Sequence, residues 1–255
     1  MIRLIGILTG LFFALMALWG FGTGLATVIS EGQFKEATAE YEFHLKPRDA
    51  GLASDGAFGK WDLAQLQRGM QVYKEVCAAC HGLKFVAFRD LAALGYSEAE
   101  VKAIAAGFQV PGIDPTTGEA NTRPGLPTDY FPSPYPNAVA AAAANNNAIP
   151  PDLSLMAKAR KDGSNYVYSL LTGYRDVNTF TVDGKTVKQV FPEFATPPNT
   201  HFNPYFANLN IAMAAPLMVD GQVTYAEGQP APTVDQMAKD IAAFLTWTAE
   251  PKKVK

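Results

Sequence analysis

Cys77-Ala78-Ala79-Cys80-His81 places two thiols a helical turn apart with an imidazole directly behind the second. A C-x-x-C-H run is the attachment pattern of a c-type haem. Each thiol adds across a haem vinyl group, and the adjacent imidazole is then held under the iron as one axial ligand. The chain has 2 cysteines, so once both are thioethers no thiol remains for a disulfide, an iron–sulfur cluster or a zinc site. Competing chemistries ask for more than the chain offers. A thioredoxin-like redox pair expects a βαβ setting, and a zinc site needs further Cys or His ligands.

The second axial ligand has to come from a short roster. Besides His81 the histidines are His44 and His201, and the methionines beyond the apolar leader are Met70, Met156, Met213, Met218 and Met237. Met70 and Met237 fall on helical apolar stripes and Met156 in an expected helix, so these three read as core. His201 sits beside a Pro-Pro-Asn-Thr turn and reads as a surface or hydrogen-bonding residue. Met213 and Met218 flank Ala214-Ala215-Pro216-Leu217, an irregular segment in which a thioether can be held over an iron. Met218 leads into an expected hairpin at Asp220-Gly221, whose alternate residues are committed to strand faces. That favours Met213 and leaves Met218 as the alternative.

The elements that must position these groups are mainly helical. Leu63, Leu66, Met70, Tyr73 and Cys77 recur at three- and four-residue steps, predicting a helix from about Asp62 that ends at the attachment motif. Thr233-Val234-Asp235-Gln236 reads as a capping box for a second helix with Met237, Ile241, Phe244 and Leu245 on its buried stripe and Pro251 as its stop. Helices at both ends, a His ligand early and a Met ligand late predict a class I cytochrome c-like haem domain carrying long inserted loops and small β-hairpins. Prolines from Pro111 to Pro136 make Val110–Asn137 a wrapping loop without sustained helix, with Tyr130, Phe131 and Tyr135 as surface to bury. Ala138–Ala144, Leu153–Lys161 and Asn165–Leu171 read as helical, the last stopped by Gly173. Asp183-Gly184 and Asp220-Gly221 read as hairpin turns.

The N-terminus is a hydrophobic helix. Leu4 to Ile29 carries no charged residue, and at ~1.5 Å per residue it covers a ~30 Å hydrocarbon core. Arg3 precedes it, while Glu31, Lys35 and Glu36 follow, which by the positive-inside rule places the remainder on the outer side. A cleaved signal peptide is the competing reading. The expected organisation is a transmembrane anchor or signal segment at 1–30, a linker and start of the haem domain at 31–60, and the cytochrome c domain at 61–255. With 21 Lys and Arg against 24 Asp and Glu, the formal net charge is −3. That argues against a nucleic-acid partner, and so small an imbalance suits either a basic protein partner or an ordinary solvated surface.

Several segments resemble the cytochrome c1 family. They are Arg68-Gly69-Met70-Gln71-Val72-Tyr73-Lys74-Glu75-Val76 before the haem motif, Asp129-Tyr130-Phe131-Pro132 with Pro134-Tyr135-Pro136-Asn137, and Asn145-Asn146 with Pro150-Pro151-Asp152-Leu153-Ser154. Ser169-Leu170-Leu171-Thr172-Gly173-Tyr174, Phe202-Asn203-Pro204-Tyr205-Phe206 and Ala212-Met213-Ala214-Ala215-Pro216-Leu217 continue the likeness in the family's order, from about Glu42 to Pro251. The resemblance implies one covalently bound haem c in a subunit of quinol:cytochrome c oxidoreductase. It would stand beside cytochrome b, receive electrons from a Rieske iron–sulfur protein and pass them to a soluble or tethered cytochrome c. The implied setting is the bacterial inner membrane with the haem domain in the periplasm, or the organellar equivalent. The resemblance also implies Met213 as distal ligand, Arg160 and Tyr166 near a haem propionate, and Asn145 and Pro151 shaping the pocket. The family's C-terminal anchoring helix lies beyond the Ala249-Glu250-Pro251 stretch at which this sequence nears its end. The expectation is therefore that the N-terminal segment anchors the protein or that the chain is part of a longer one. An independent membrane-tethered carrier and a haem enzyme or gas sensor are the alternatives, the latter needing an exchangeable distal position.

Overall fold

Asp62 and Thr233 each turn a β-region backbone into a helix by accepting a hydrogen bond, from the Gln65 and Gln236 amides respectively. The two helices they open form the centre of the fold. The computed structural model describes residues 2–30, 37–56 and 58–253. The charged residues Glu31, Lys35 and Glu36 of the expected linker lie outside the described residues. In chain order the helices are α1 (Ile2–Ser30), α2 (Ala39–Phe43), α3 (Leu63–Val72), α4 (Glu98–Ala106), α5 (Ala138–Ala144), α6 (Met156–Ala159), α7 (Gly163–Leu171), α8 (Val187–Val190) and α9 (Val234–Ala249). Three antiparallel hairpins interrupt them: β1 (Gln109–Ile113) with β2 (Ala120–Pro124), β3 (Thr181–Val182) with β4 (Lys185–Thr186), and β5 (His201–Phe202) with β6 (Asn210–Ile211).

α3 crosses α9 at Gly69, where a Cβ would stand 2.1 Å from the Asp240 carbonyl oxygen. Only hydrogen there permits the close approach, and it brings Leu66, Met70, Tyr73, Met237, Ile241 and Phe244 into one buried core. Within this contact Arg68 grips Asp240 through two bonds, Nε to Oδ2 at 2.8 Å and Nη2 to Oδ1 at 3.1 Å. The side chains of Gln65 and Gln236 also donate to Asp240. A fully buried carboxylate needs this many donors, because an unpaired charge in the interior is costly. α6 and α7 also pack on α9.

A second, smaller core lies apart from the helix crossing. Phe43 of α2, Val187 of α8, Phe202 of β5 and Leu209 are buried together, with Phe180, Phe191 and Phe194 against them. Residues 39–52 thus belong to the folded body: Phe43 enters this second core, and Ala50 and Leu52 enter the first.

Several expectations need correction. Leu63, placed on the buried stripe, is exposed, because it is the first residue of α3 and lies beyond the crossing with α9. The last helix has only half of its capping box: Thr233 caps, while the Gln236 side chain turns to Asp240. The wrapping loop contains the β1–β2 hairpin, in which Pro111 pairs with Thr122 and Pro124 with Gln109. Proline excludes a helix yet is tolerated where a strand has a free edge. Phe131 is buried as expected, but Tyr130 is exposed. The helix expected over Leu153–Lys161 is confined to α6. Asp183-Gly184 makes a tight turn, both residues having positive φ. Asp220-Gly221 instead serves α9, the Asp220 carboxylate accepting from the Val234 amide at 2.7 Å. Gly173 is required for space: a Cβ would come within 2.5 Å of both the Ser169 carbonyl oxygen and the Tyr205 ring.

α1 has no buried residue, and at 29 residues it is long and apolar enough to cross a membrane.

Candidate functional site

The attachment motif forms where α3 ends. Its last turn widens into a π-helical turn over Tyr73–Cys77, closed by the Ala78 amide donating to the Tyr73 carbonyl at 2.8 Å. The Cys80 and His81 amides both donate to the Cys77 carbonyl, at 3.1 and 2.9 Å. Two thiols and one imidazole are thereby wound into a single compact turn. Both cysteines are free thiols. Burial pushes the Cys77 thiol up to about 12, and Cys80 adds to the rise. This is the reverse of a redox-active C-x-x-C pair, whose thiolate is stabilised.

His81 Nδ1 lies 2.7 Å from the Pro151 carbonyl oxygen. A carbonyl can only accept, so Nδ1 carries the proton and Nε2 keeps its lone pair free for a metal. Burial lowers the His81 pKa, opposed by the Pro151 hydrogen bond and the charge of Asp152. The ring is therefore favoured in the neutral form that ligates. Pro151 is itself held by a stitched segment: the Lys84 amide donates to Asp152 Oδ2 at 2.9 Å, the Phe85 amide to Ser154 Oγ at 3.1 Å, and the Leu153 amide to the Gly82 carbonyl at 2.9 Å. Tyr73, buried in the core, donates its hydroxyl to the His81 carbonyl at 2.9 Å. Backbone and ring of His81 are thus fixed by separate partners.

Met213 follows β6 and is half-buried, whereas Met218 is 73% exposed. The hairpin that set Met218 aside in the sequence is a cap for α9, and exposure is what separates the two methionines. Met70 and Met237 are buried in the core, Met156 packs against it, and His44 and His201 are exposed. The Met213 carbonyl accepts from the Tyr174 hydroxyl at 3.0 Å. Burial raises the Tyr174 pKa, with Tyr166 adding to it. Burial also pushes Tyr166 up, and the nearby Arg160 guanidinium works against that push. Tyr174 thus ties to Met213, and Arg160 lies beside Tyr166.

Asn145 ends α5, donating from its side chain to the Ala141 carbonyl at 2.7 Å. Pro151 meets the site through its carbonyl. The sequence reading gave no site role to Tyr73, Asp152, Ser154 or Tyr174. Asp152 and Ser154 carried a signal, since an Asp-x-Ser run commonly bonds neighbouring backbone amides. Tyr73 and Tyr174 carried none, because a tyrosine's partner carbonyl is set only by the fold.

The donor set suits a haem. Among the described residues no group of three or more His, Cys, Asp or Glu side chains converges. Two thiols, an oriented imidazole, a half-buried thioether and an Arg–Tyr pair meet the needs of vinyl groups, iron and propionates.

The Cytochrome C1 family model matches residues 52–255. Cytochrome c1 of Rhodospirillum rubrum is 50% identical over 200 residues, covering 77% of this chain and 73% of that protein. Mitochondrial cytochrome c1, heme protein, of Saccharomyces cerevisiae is 44% identical over 217 residues, covering 85% and 66%. Cytochrome b/c1 of Bradyrhizobium diazoefficiens is 44% identical over 229 residues, 86% of this chain but 33% of that longer protein. With the family's model matched across most of its length and relatives of this similarity, the chain belongs to the cytochrome c1 family.

Proposed function

We propose that this chain carries one haem c covalently attached at Cys77 and Cys80, with His81 and Met213 as axial ligands. In this reading it transfers electrons from a Rieske iron–sulfur protein to a cytochrome c within a quinol:cytochrome c oxidoreductase that includes cytochrome b. The observation that carries the reading is the His81 Nδ1 bond to the Pro151 carbonyl at 2.7 Å, in the imidazole of a C-x-x-C-H turn, because it presents Nε2 in the ligating tautomer. When bound, the haem supplies a one-electron couple. The protein's part is to hold it still. His81 is fixed from two sides, the Met213 thioether favours the reduced state relative to harder ligands, and Arg160 and Tyr166 offer donors to propionate oxygens that are costly to bury unpaired. No proton acceptor or nucleophile is required. Residues 1–30 act as the membrane anchor, residues 31–60 are a linker and the start of the haem domain that continues through 61–255, and that domain faces the periplasm.

The test is purification from membranes in mild detergent, followed by stopped flow on one preparation. Quinol should reduce the haem through a copurifying Rieske centre, with cytochrome b present. Reduction of added basic cytochrome c should slow as salt rises, since the Debye length shrinks from ~30 Å at 0.01 M to ~3 Å at 1 M. A complex with an intact Rieske centre whose quinol never reduces the haem overturns the assignment.

A further inference from the structure

Tyr174 and Met213 stand 39 residues apart in sequence and meet through one hydrogen bond, hydroxyl to carbonyl, at 3.0 Å. The tyrosine rides on a rigid base. It follows the end of α7, where Thr172 bonds back to the Tyr168 carbonyl at 2.8 Å and Gly173 is pressed against Ser169 and Tyr205. Asn203, fully buried, donates to the Leu170 carbonyl at 2.8 Å and accepts from the Tyr205 amide at 3.1 Å, tying the same helix end to the segment after β5. The Arg175 amide donates to the Phe202 carbonyl at 3.3 Å. Met213, by contrast, lies beyond β6 on irregular backbone between the exposed residues Ala212 and Ala214.

We propose that Tyr174 is a positioning residue for the Met213 thioether, its hydroxyl gripping the ligand residue's carbonyl so that the sulfur holds the iron's sixth position against competing ligands. The inference rests on Met213 being the distal ligand, as proposed above. Physically, a methionine on loose backbone loses its place over an iron by a shift of the strap, and a single bond from a fixed helix end opposes that shift.

Tyr174→Phe removes the hydroxyl and keeps the ring. In the full-length haem-loaded protein, attachment and the sulfur-to-iron charge-transfer band should persist, while imidazole binds the ferric iron about fivefold more tightly, the factor that one net hydrogen bond represents. His201→Ala, which removes the ring lying 6.4 Å from Tyr174 but no bond to Met213, should leave imidazole affinity unchanged. A merely structural role for Tyr174 would lower the denaturation midpoint without moving imidazole affinity, and that result overturns the proposal. Met213→Leu separates the two claims. If it abolishes the charge-transfer band while Tyr174→Phe leaves imidazole affinity at the wild-type value, Met213 is the ligand and the role of Tyr174 is wrong. If the band survives Met213→Leu, both fall.

Discussion

His81 is anchored by regular structure and Met213 is not. The histidine follows α3, whose crossing with α9 is closed at Gly69 and locked by the Arg68–Asp240 pair, and its ring and carbonyl are held by Pro151 and Tyr73. The methionine hangs from β6, a two-residue strand whose support is the second core of Phe43, Val187, Phe202 and Leu209. Leu209 adopts a positive φ of 62° while fully buried. A leucine held in that region is strained, and the surrounding packing and the bond from the Asn203 amide to its carbonyl must over-determine it. Under the proposed ligation, the site combines a ligand fixed by helix packing with another fixed by a strap, and the strap side is where ligand strength would be tuned without disturbing the fold.

The largest expected effect breaks the first side. Asp240→Ala leaves the Arg68 charge buried without a carboxylate, its remaining side-chain bond being to Gln229, and should cost about 3–5 kcal/mol, read as a fall in the urea midpoint of the whole domain with no selective change in imidazole binding. A loss below ~1 kcal/mol would mean that the pair is not the clamp it resembles. Leu209→Ala strikes the second side. It should cost about 2–3 kcal/mol, at the low end for large-to-small core changes because the neighbouring loops can collapse. Its signature is tighter imidazole binding with unimpaired covalent attachment. Equal loss of both would show that the two cores unfold as one unit. The smallest effect separates the edge of the first side from its centre. Arg123 holds the Asp129 carboxyl below the usual carboxylate range, helped by the Leu126 amide. A depressed native pKa contributes stability that is present above the ordinary value of ~3.9 and is lost as pH falls through the native one. Amide protection in the β1–β2 hairpin should therefore drop at acid pH before protection in α3 and α9 does, measured by hydrogen exchange. Simultaneous loss would contradict a separable edge.

The legibility of each side follows the same division. α3 and α9 are visible in the sequence because their buried residues repeat at helical spacing and their caps are local, within three residues of Asp62 and Thr233. Ala138–Ala144 is visible for its helix-forming composition. The second core has no period to read: Phe43, Val187 and the Phe202–Leu209 hairpin come from three distant segments. The β1–β2 hairpin is concealed by its own prolines, which argue against strands unless the edge is known to be free.

The sequence by itself determined the chemistry: two thiols and an imidazole in one C-x-x-C-H turn, a short roster of distal ligands, an apolar N-terminal helix and two helices to carry the core. Those properties are local, arising from neighbours along the chain. Tertiary structure alone decided that Pro151 sets the His81 tautomer, that Met218 faces solvent while Met213 is half-buried, and that Tyr174 meets the Met213 carbonyl. A carbonyl acceptor has no side-chain signature, so its partner becomes known only when packing brings distant segments within a hydrogen bond's reach.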